Sequence, residues 1–285
     1  MQNENHKGFL SSEIGFPSPD KSHFHVISAG YEASVSYGKG TKNGPEAIIE
    51  ASQQLELFDG ETIPADRGIY TIPPLCFGQS CYKNIILIEQ TVSSVLEKNK
   101  CPVLLGGEHT VSVGAFLAIH KLNKRVGIVQ LDAHADLREN YEGNKYSHAC
   151  VMKRALDLEF PIAQFSTRSL SYEEYVLRKE KNIYYVDAQT FAKNRLPKPI
   201  LPSTFPKNIY ITFDVDALDP SVIPSTGTPV PGGLTWYQTL NLLKQITKDR
   251  QVIGFDVVEL APVKHHHASD FAATSLVYSL MGMVR

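Results

Sequence analysis

Residues 126–138 of this chain read VGIVQLDAHADLR. The first six are mostly apolar and partly β-branched, which predicts a short strand over residues 126–134, buried within a sheet. Asp132, His134 and Asp136 then follow at alternate positions, and side chains two residues apart at a strand end point the same way. Carboxylates brought together away from water repel one another and lose hydration unless a cation lies among them. The segment therefore predicts a metal site at one edge of a sheet.

A second buried strand with an acidic end occurs at residues 209–216, which read IYITFDVD. An imidazole is also expected nearby, because a predicted strand at 102–105 is followed by the residues GGEH at 106–109, which end in His109. In parallel sheets the carboxyl ends of the strands meet at one edge, where ligands bind. The candidate metal ligands are His109, Asp132, His134, Asp136, Asp214 and Asp216. This oxygen-rich set suits Mn²⁺, and four carboxylates exceed the need of one ion, which favours a two-metal site.

Three further segments are candidates for the surroundings of that site. Residues 251–260 form another predicted strand with an acidic end, carrying Asp256 and Glu259. The glycine-rich loop 30–45 follows a predicted strand at 24–29, and such loops often line sites in α/β proteins. Ser147 precedes His148 at a predicted helix start, where we expect it to act as the N-cap.

Predicted strands alternate with predicted helices along the whole chain. This order is typical of βαβ units and predicts a parallel sheet with helices on both faces. Neither an internal repeat nor a shift in composition marks a second domain, so we expect a single domain over residues 1–285. Residues 1–22 contain Gly15, Pro17 and Pro19 as breakers and are predicted to be irregular.

Composition excludes several classes of protein. The balance of 28 Lys and Arg against 30 Asp and Glu gives a formal net charge of -2 without a basic stripe, so no nucleic-acid partner is expected. No apolar run is long enough for a membrane span or a signal peptide, so we expect a soluble cytoplasmic protein. The four scattered cysteines are expected to be reduced and buried, and the histidines at 265–267 to lie in a surface loop.

Several strings in the chain resemble the ureohydrolases, the family of arginase, agmatinase and formiminoglutamase. They are GGEH at 106–109, LDAHADLR at 131–138, FDVDALDP at 213–220 and STGTP at 225–229. The segments GTKNGPEAI at 40–48 and GFDVVE at 254–259 extend the resemblance over nearly the whole chain. It implies an arginase-like fold of three α/β/α layers, whose central, mostly parallel sheet has about eight strands.

The same resemblance implies a site with two Mn²⁺ ions, and all six ligand positions match. One ion would be held by His109, Asp132, Asp136 and Asp214. The other would be held by His134, Asp132, Asp214 and Asp216, so that Asp132 and Asp214 bridge the ions. The implied reaction is hydrolysis of a guanidinium to an amine and urea, by attack of a hydroxide that bridges the two ions.

The resemblance also implies roles in catalysis and substrate binding for Asp136 and for four residues outside the ligand set. Asp136 would hydrogen-bond the hydroxide and pass its proton to the leaving nitrogen, with His148 as a proton shuttle near the substrate. Glu259 matches the carboxylate that binds the guanidinium, a planar group suited to a paired contact. Thr228 and Gly227 would shape the wall of the pocket.

The loop at 137–148 bears on the choice of substrate, and it resembles agmatinase rather than arginase. Agmatine carries a distal ammonium, for which Glu142, Tyr141 and Tyr146 are candidate contacts. The predicted function is therefore hydrolysis of agmatine to putrescine and urea. Alternatives are a ureohydrolase for guanidinobutyrate, aminopropylagmatine, guanidine or arginine, and a non-catalytic metal-binding assembly protein. A related metal-dependent deacetylase is disfavoured by His109 and the second Asp-x-Asp. Family members are usually trimers or hexamers, so a homotrimer or homohexamer is expected.

Overall fold

The computed structural model describes residues 7–193 and 196–285. Within them, eight strands form one sheet in the order β2-β1-β3-β8-β7-β4-β5-β6. Every pairing between these strands is parallel. The strands are β1 Phe24–Ala29, β2 Ile69–Thr71, β3 Cys101–Gly106, β4 Val126–Leu131, β5 Ile162–Phe165, β6 Tyr184–Val186, β7 Asn208–Asp214 and β8 Gln251–Val258. The predicted sheet of about eight parallel strands is thus confirmed.

Nine α-helices are found in the described part of the chain, and most of them connect successive strands. The helices are α1 Ser11–Ile14, α2 Gly44–Ser52, α3 Cys81–Leu96, α4 Val111–Lys121, α5 Val151–Asp157, α6 Tyr172–Glu180, α7 Ala188–Ala192, α8 Trp236–Thr247 and α9 Ala268–Met283. Thr235 caps α8, with its side chain accepting from the backbone N–H of Gln238.

The sheet lies between two apolar clusters, because successive strand residues point to opposite faces. In β4, Val129 and Leu131 join the cluster that contains residues of α2, α8 and α9. Val126 and Ile128 join the other cluster, with residues of α3, α4 and α5. Helices therefore cover both faces, as expected for three α/β/α layers.

The strands that carry the candidate ligands are neighbours at the centre of the sheet. β3, β8, β7 and β4 are adjacent, so their carboxyl ends converge at one edge. β4 ends at Leu131 and β7 at Asp214, earlier than the predicted ends at 134 and 216. Short-range bonds cause this difference, since Asp132 accepts from the His134 N–H and Asp214 from the Asp216 N–H, which turns the chain out of the sheet.

The N-terminal segment is more ordered than the sequence predicts, and the prediction of an irregular 1–22 is wrong for part of it. Phe9 and Leu10 are fully buried in the core, and the Leu10 N–H donates to the Ser52 hydroxyl in α2. A short helix, α1, follows directly. Apolar burial holds this stretch in place, whereas residues 1–6 of the predicted segment lie outside the described residues.

Three smaller expectations have clear outcomes. The histidines at 265–267 are exposed, as predicted for a surface loop. Of the four free cysteines, Cys101 and Cys150 are buried, but Cys76 is exposed, which the sequence did not predict. Among the described residues, no helix is both long and apolar enough to cross a membrane.

We predict that Gly107→Ala destabilises the protein by about 1–3 kcal/mol, because a side chain here overpacks the junction between β3 and α4. A Cβ at this position would lie 2.0 Å from the backbone oxygen of Tyr31. The matched control is Gly78→Ala, since a Cβ at Gly78 meets nothing within 4 Å. Urea unfolding measures both variants, and equal stabilities would contradict the close packing described here.

Candidate metal centre

The turn between β3 and α4 places His109 at the floor of the site. Gly107 lets the backbone pass close to Tyr31, and its carbonyl accepts from the Glu259 N–H at 2.9 Å. The His109 N–H in turn donates to Oε1 of Glu259 at 2.6 Å. These two bonds tie the turn after β3 to the segment after β8, so that His109 and Glu259 are fixed relative to each other.

The His109 imidazole faces three carboxylates. Its Nδ1 lies 3.0 Å from Asp136 Oδ2, 3.3 Å from Asp132 Oδ2 and 3.6 Å from Asp214 Oδ2. His109 is 1% exposed, yet Nδ1 has no hydrogen-bond partner of acceptable geometry among the described residues. A buried nitrogen surrounded by carboxylate oxygens is a suitable metal ligand.

A second group of ligand atoms lies beside the first. His134 Nδ1 is 3.1 Å from Asp216 Oδ2 and 3.5 Å from Asp132 Oδ1. The two oxygens of Asp132 therefore face different imidazoles. In each of the groups His109, Asp132, Asp214 and Asp132, His134, Asp216, the ligand atoms lie within 4.8 Å of one another. The two groups hold five of the six candidate ligands, with Asp132 in both, and the sixth, Asp136, lies beside the first group at 3.0 Å from His109 Nδ1.

The charges at this site are unbalanced without a cation. Burial and the neighbouring Asp132 raise the pKa of Asp136 to about 7. Burial, together with Asp216 and Asp132, raises the pKa of Asp214 well above its usual range. Burial opposes the charge on His134, but its contacts with Asp132 and Asp216 raise its pKa to about 11. The raised pKa values mean that these side chains bind protons, which supply positive charge that divalent ions would otherwise provide.

Asp136 and Glu259 both adopt left-handed backbone conformations, with φ values of 52° and 66°. Such values are uncommon for residues other than glycine and persist where the surroundings impose them. The Asp136 carbonyl accepts from the N–H groups of Met152 and Lys153 in α5, and the Glu259 N–H is held by Gly107. The strained backbone therefore aims both carboxylates toward the same cavity.

A cavity of about 270 Å³ opens above the ligand groups. Of the candidates for catalysis and substrate binding, its walls include Asp136, His148, Gly227, Thr228 and Glu259. The cavity is also lined by Tyr141, a candidate contact for the distal end of the substrate. Glu142 and Tyr146 are absent from the lining, and Glu142 is exposed in a turn with a φ of 51°.

The loop that follows β1 holds His148 in place. The Ser34 hydroxyl lies 3.2 Å from His148 Nδ1 and donates to Glu108 at 2.9 Å. Ser147 also reaches that nitrogen, at 3.3 Å, and makes no capping bond, so the predicted capping role of its side chain is wrong. Burial lowers the pKa of His148, which favours the neutral ring. With Nδ1 engaged, Nε2 is the nitrogen that remains for another contact.

Polar residues form a row inside the sheet, and sequence reasoning singled out only Asp256 among them. Gln164, Gln130, Thr212 and Asp256 lie at one register across β5, β4, β7 and β8, and all are fully buried. Gln164 donates to Gln130 at 2.5 Å, and Gln130 donates to Asp132 Oδ2 at 2.7 Å. For Gln130 and Thr212, the available signal was a polar residue two positions before a candidate ligand in an otherwise apolar strand.

Two more residues of the cavity lining were not among the candidates. Arg138 lies 4.0 Å from Glu174 and stacks over the Tyr141 ring at 5.5 Å. Glu174 is buried and accepts from the N–H groups of Leu137 and Ser171. This ion pair is at the cavity wall, so a substrate that extends outward would meet both charges.

We predict that Mn²⁺ stabilises the metal-free protein, because it replaces repulsion among buried carboxylates by ligation. At a Mn²⁺ concentration about 100 times Kd, binding adds about 2.7 kcal/mol, or about 5–10 °C in Tm. Asp132→Asn should lose this response, since Asp132 belongs to both ligand groups. Thermal unfolding with and without Mn²⁺ measures the effect.

The control for this experiment is Glu89→Gln, at a buried carboxylate that pairs with Lys121 away from the site. We expect a lower Tm for Glu89→Gln but an unchanged response to Mn²⁺. A response retained in Asp132→Asn would contradict the assignment of this cluster as the metal centre.

This chain is similar in sequence and structure to several known proteins. An aminopropylagmatine ureohydrolase of Synechocystis is 38% identical over 97% of this chain and 93% of its own length. An agmatinase of Bacillus cereus is 34% identical over 98% of this chain and 97% of its own length. The crystal structure of the agmatine ureohydrolase of Thermoplasma volcanium superposes with a TM-score of 0.87 at 29% identity, over 98% of this chain and 94% of that one.

The family model described as the arginase family matches residues 22–282. This range spans all eight strands and every candidate ligand. The chain is therefore a member of the arginase family, and it is a ureohydrolase of the agmatinase type.

Proposed function

We propose that this protein hydrolyses the guanidinium group of agmatine to putrescine and urea with two Mn²⁺ ions per chain. The observation that carries the proposal is the pair of ligand groups joined by Asp132 at the floor of a cavity. Glu259 and His148 stand on the walls of the same cavity.

The ligand set fits manganese. Four carboxylates and two imidazoles offer mainly hard oxygen ligands, which Mn²⁺ accepts well. We assign His109, Asp132, Asp136 and Asp214 to one ion, and His134, Asp132, Asp214 and Asp216 to the other. Two ions, when bound, would supply a strong nucleophile from water at neutral pH and stabilise developing negative charge.

Glu259 is proposed to bind the substrate guanidinium. Its Oε1 accepts from the His109 N–H, while its buried carboxylate still lines the cavity. A guanidinium presents parallel N–H donors that match a carboxylate, and burial strengthens such a charge-assisted contact. Glu259 would thereby hold the reactive carbon over the ligand groups.

Asp136 and His148 are proposed to move protons. Asp136 faces both the ligand groups and the cavity, so it can accept the proton released from water and deliver it to the leaving nitrogen. His148 is held through Nδ1 by the loop after β1, which leaves Nε2 as the atom that exchanges a proton with the departing amine.

A second candidate substrate is N1-aminopropylagmatine, which would yield urea and the corresponding triamine. Four relatives, at 30–38% identity, carry the name aminopropylagmatine ureohydrolase. The Glu174 carboxylate at the cavity wall, paired with Arg138, offers a site for an additional ammonium. This longer substrate keeps the same roles for Glu259, Asp136 and His148.

The proposal is tested by urea release in the presence of Mn²⁺ from agmatine, N1-aminopropylagmatine, arginine, guanidinobutyrate and guanidine. We expect the highest kcat/KM for agmatine or N1-aminopropylagmatine, and the ratio of the two separates the candidates. Preference for any other guanidine would overturn the substrate assignment. Mn²⁺ binding without turnover would instead support a metal-binding assembly protein.

We predict that Glu259→Gln binds Mn²⁺ normally but loses most activity. The amide oxygen can still accept from the His109 N–H, whereas the charge that pairs with the guanidinium is gone. The loss of a charge-assisted pair worth about 3 kcal/mol lowers kcat/KM by about 10²-fold. His134→Ala is the comparison variant, since it should lose both metal and activity. Loss of Mn²⁺ from Glu259→Gln would contradict the substrate-binding role.

A further inference from the structure

Three strands of the described part of the chain carry acidic residues at or near their ends. Asp256 is the one buried acid among these residues to which the proposed reaction gives no role. It is fully buried on β8, and its Oδ2 has no hydrogen-bond partner in the described part of the chain. A buried carboxylate with an unpaired oxygen costs stability. This cost suggests a role beyond packing.

Asp256 reaches the candidate metal centre through one hydroxyl. The Thr212 hydroxyl lies 2.7 Å from Asp256 Oδ1 and 2.8 Å from Nε2 of His109. Thr212 and Asp256 are at the same register on β7 and β8, and the sheet itself fixes their separation. The chain Asp256–Thr212–His109 is therefore rigid and lies entirely within the protein interior.

Counting protons along this chain assigns the state of His109. The Thr212 hydroxyl has one hydrogen and three possible acceptors: Asp256 at 2.7 Å, Nε2 of His109 at 2.8 Å and the Ser112 hydroxyl at 3.3 Å. The contact to Asp256 is the shortest and is made to a carboxylate, so it takes the hydrogen. Toward His109 the hydroxyl can then only accept, so Nε2 must carry the proton.

We propose that Thr212 and Asp256 are positioning residues that hold His109 with its proton on Nε2 and Nδ1 free to ligate metal. This inference rests on the proposed function, because it assigns a purpose to Nδ1 that only a metal ion requires. His109 Nδ1 is the nitrogen that faces Asp132, Asp136 and Asp214. Partners that fix the far nitrogen of a metal-bound histidine raise metal affinity.

The decisive variant is Thr212→Val, which keeps the shape of the side chain and removes only the hydroxyl. We expect its Mn²⁺ affinity, measured by titration calorimetry, to fall by about 10–100-fold. Thr212→Ser restores the hydroxyl and should return the affinity to within a few-fold of the parent. The matched control is Thr239→Val, at a fully buried threonine whose hydroxyl bonds Thr235 in α8, and it should bind Mn²⁺ as the parent does.

A second measurement locates the proton on His109 directly. In the ¹⁵N-labelled parent, NMR should show a slowly exchanging proton on Nε2 of His109, assigned by its absence in His109→Asn. In Thr212→Val this proton should exchange faster, a change that loss of packing elsewhere would not cause. A proton on Nδ1 alone in the parent would overturn the proposal, as would parental Mn²⁺ affinity in Thr212→Val.

The two measurements separate failure of this inference from failure of the proposed function. If the parent binds no Mn²⁺, the proposed function fails, while the NMR signal still tests the state of His109. If Mn²⁺ binds and urea is released but Thr212→Val behaves as the parent, only the positioning role fails. If Thr212→Val does not fold, the proton location in the parent decides the question.

Discussion

Repulsion among carboxylates buried at the ends of β4 and β7 is the constraint on which this structure depends. Asp132, Asp136, Asp214 and Asp216 are all nearly inaccessible to water, and burial and mutual charge push the pKa values of Asp136 and Asp214 upward. No apolar core needs such a cluster, and each charge in it costs stability. Divalent ions bound here would balance the charge, and the free energy of metal binding would then be coupled to that of folding.

The rest of the fold serves to hold that cluster against its own repulsion. Four parallel strands, β3, β8, β7 and β4, lie side by side, and the helices on both faces prevent them from separating. Asp132 and Asp214 accept from backbone N–H groups two residues later, which turns the chain at the strand ends and aims the ligands inward. Beneath them, the polar row of Gln164, Gln130, Thr212 and Asp256 supplies donors and acceptors where a parallel sheet normally has only apolar side chains.

The cavity proposed to bind the substrate is lined by segments that are distant along the chain. The cavity above the ligands is closed by the loop after β1, the loop at 137–148 and the segment around Thr228. Ser34, in the first of these loops, links Glu108 to His148, so a residue from the N-terminal part of the chain orients a candidate proton carrier from the middle. Arg138 and Glu174 form the outer wall, and their charges give the cavity a polar exit suited to a cationic tail.

The sequence by itself determined the parallel α/β architecture and the six candidate ligands, because apolar periodicity and alternating carboxylates are local patterns that survive without tertiary information. It predicted that residues 1–22 are irregular, whereas the structure forms α1 there and buries Phe9 and Leu10. Only the tertiary structure decided which oxygen of Asp132 faces which imidazole, and only the strand order placed Thr212 between His109 and Asp256. The two contacts of Thr212 join residues 103 and 44 positions apart, and the register between strands that creates them leaves no signature within any single segment.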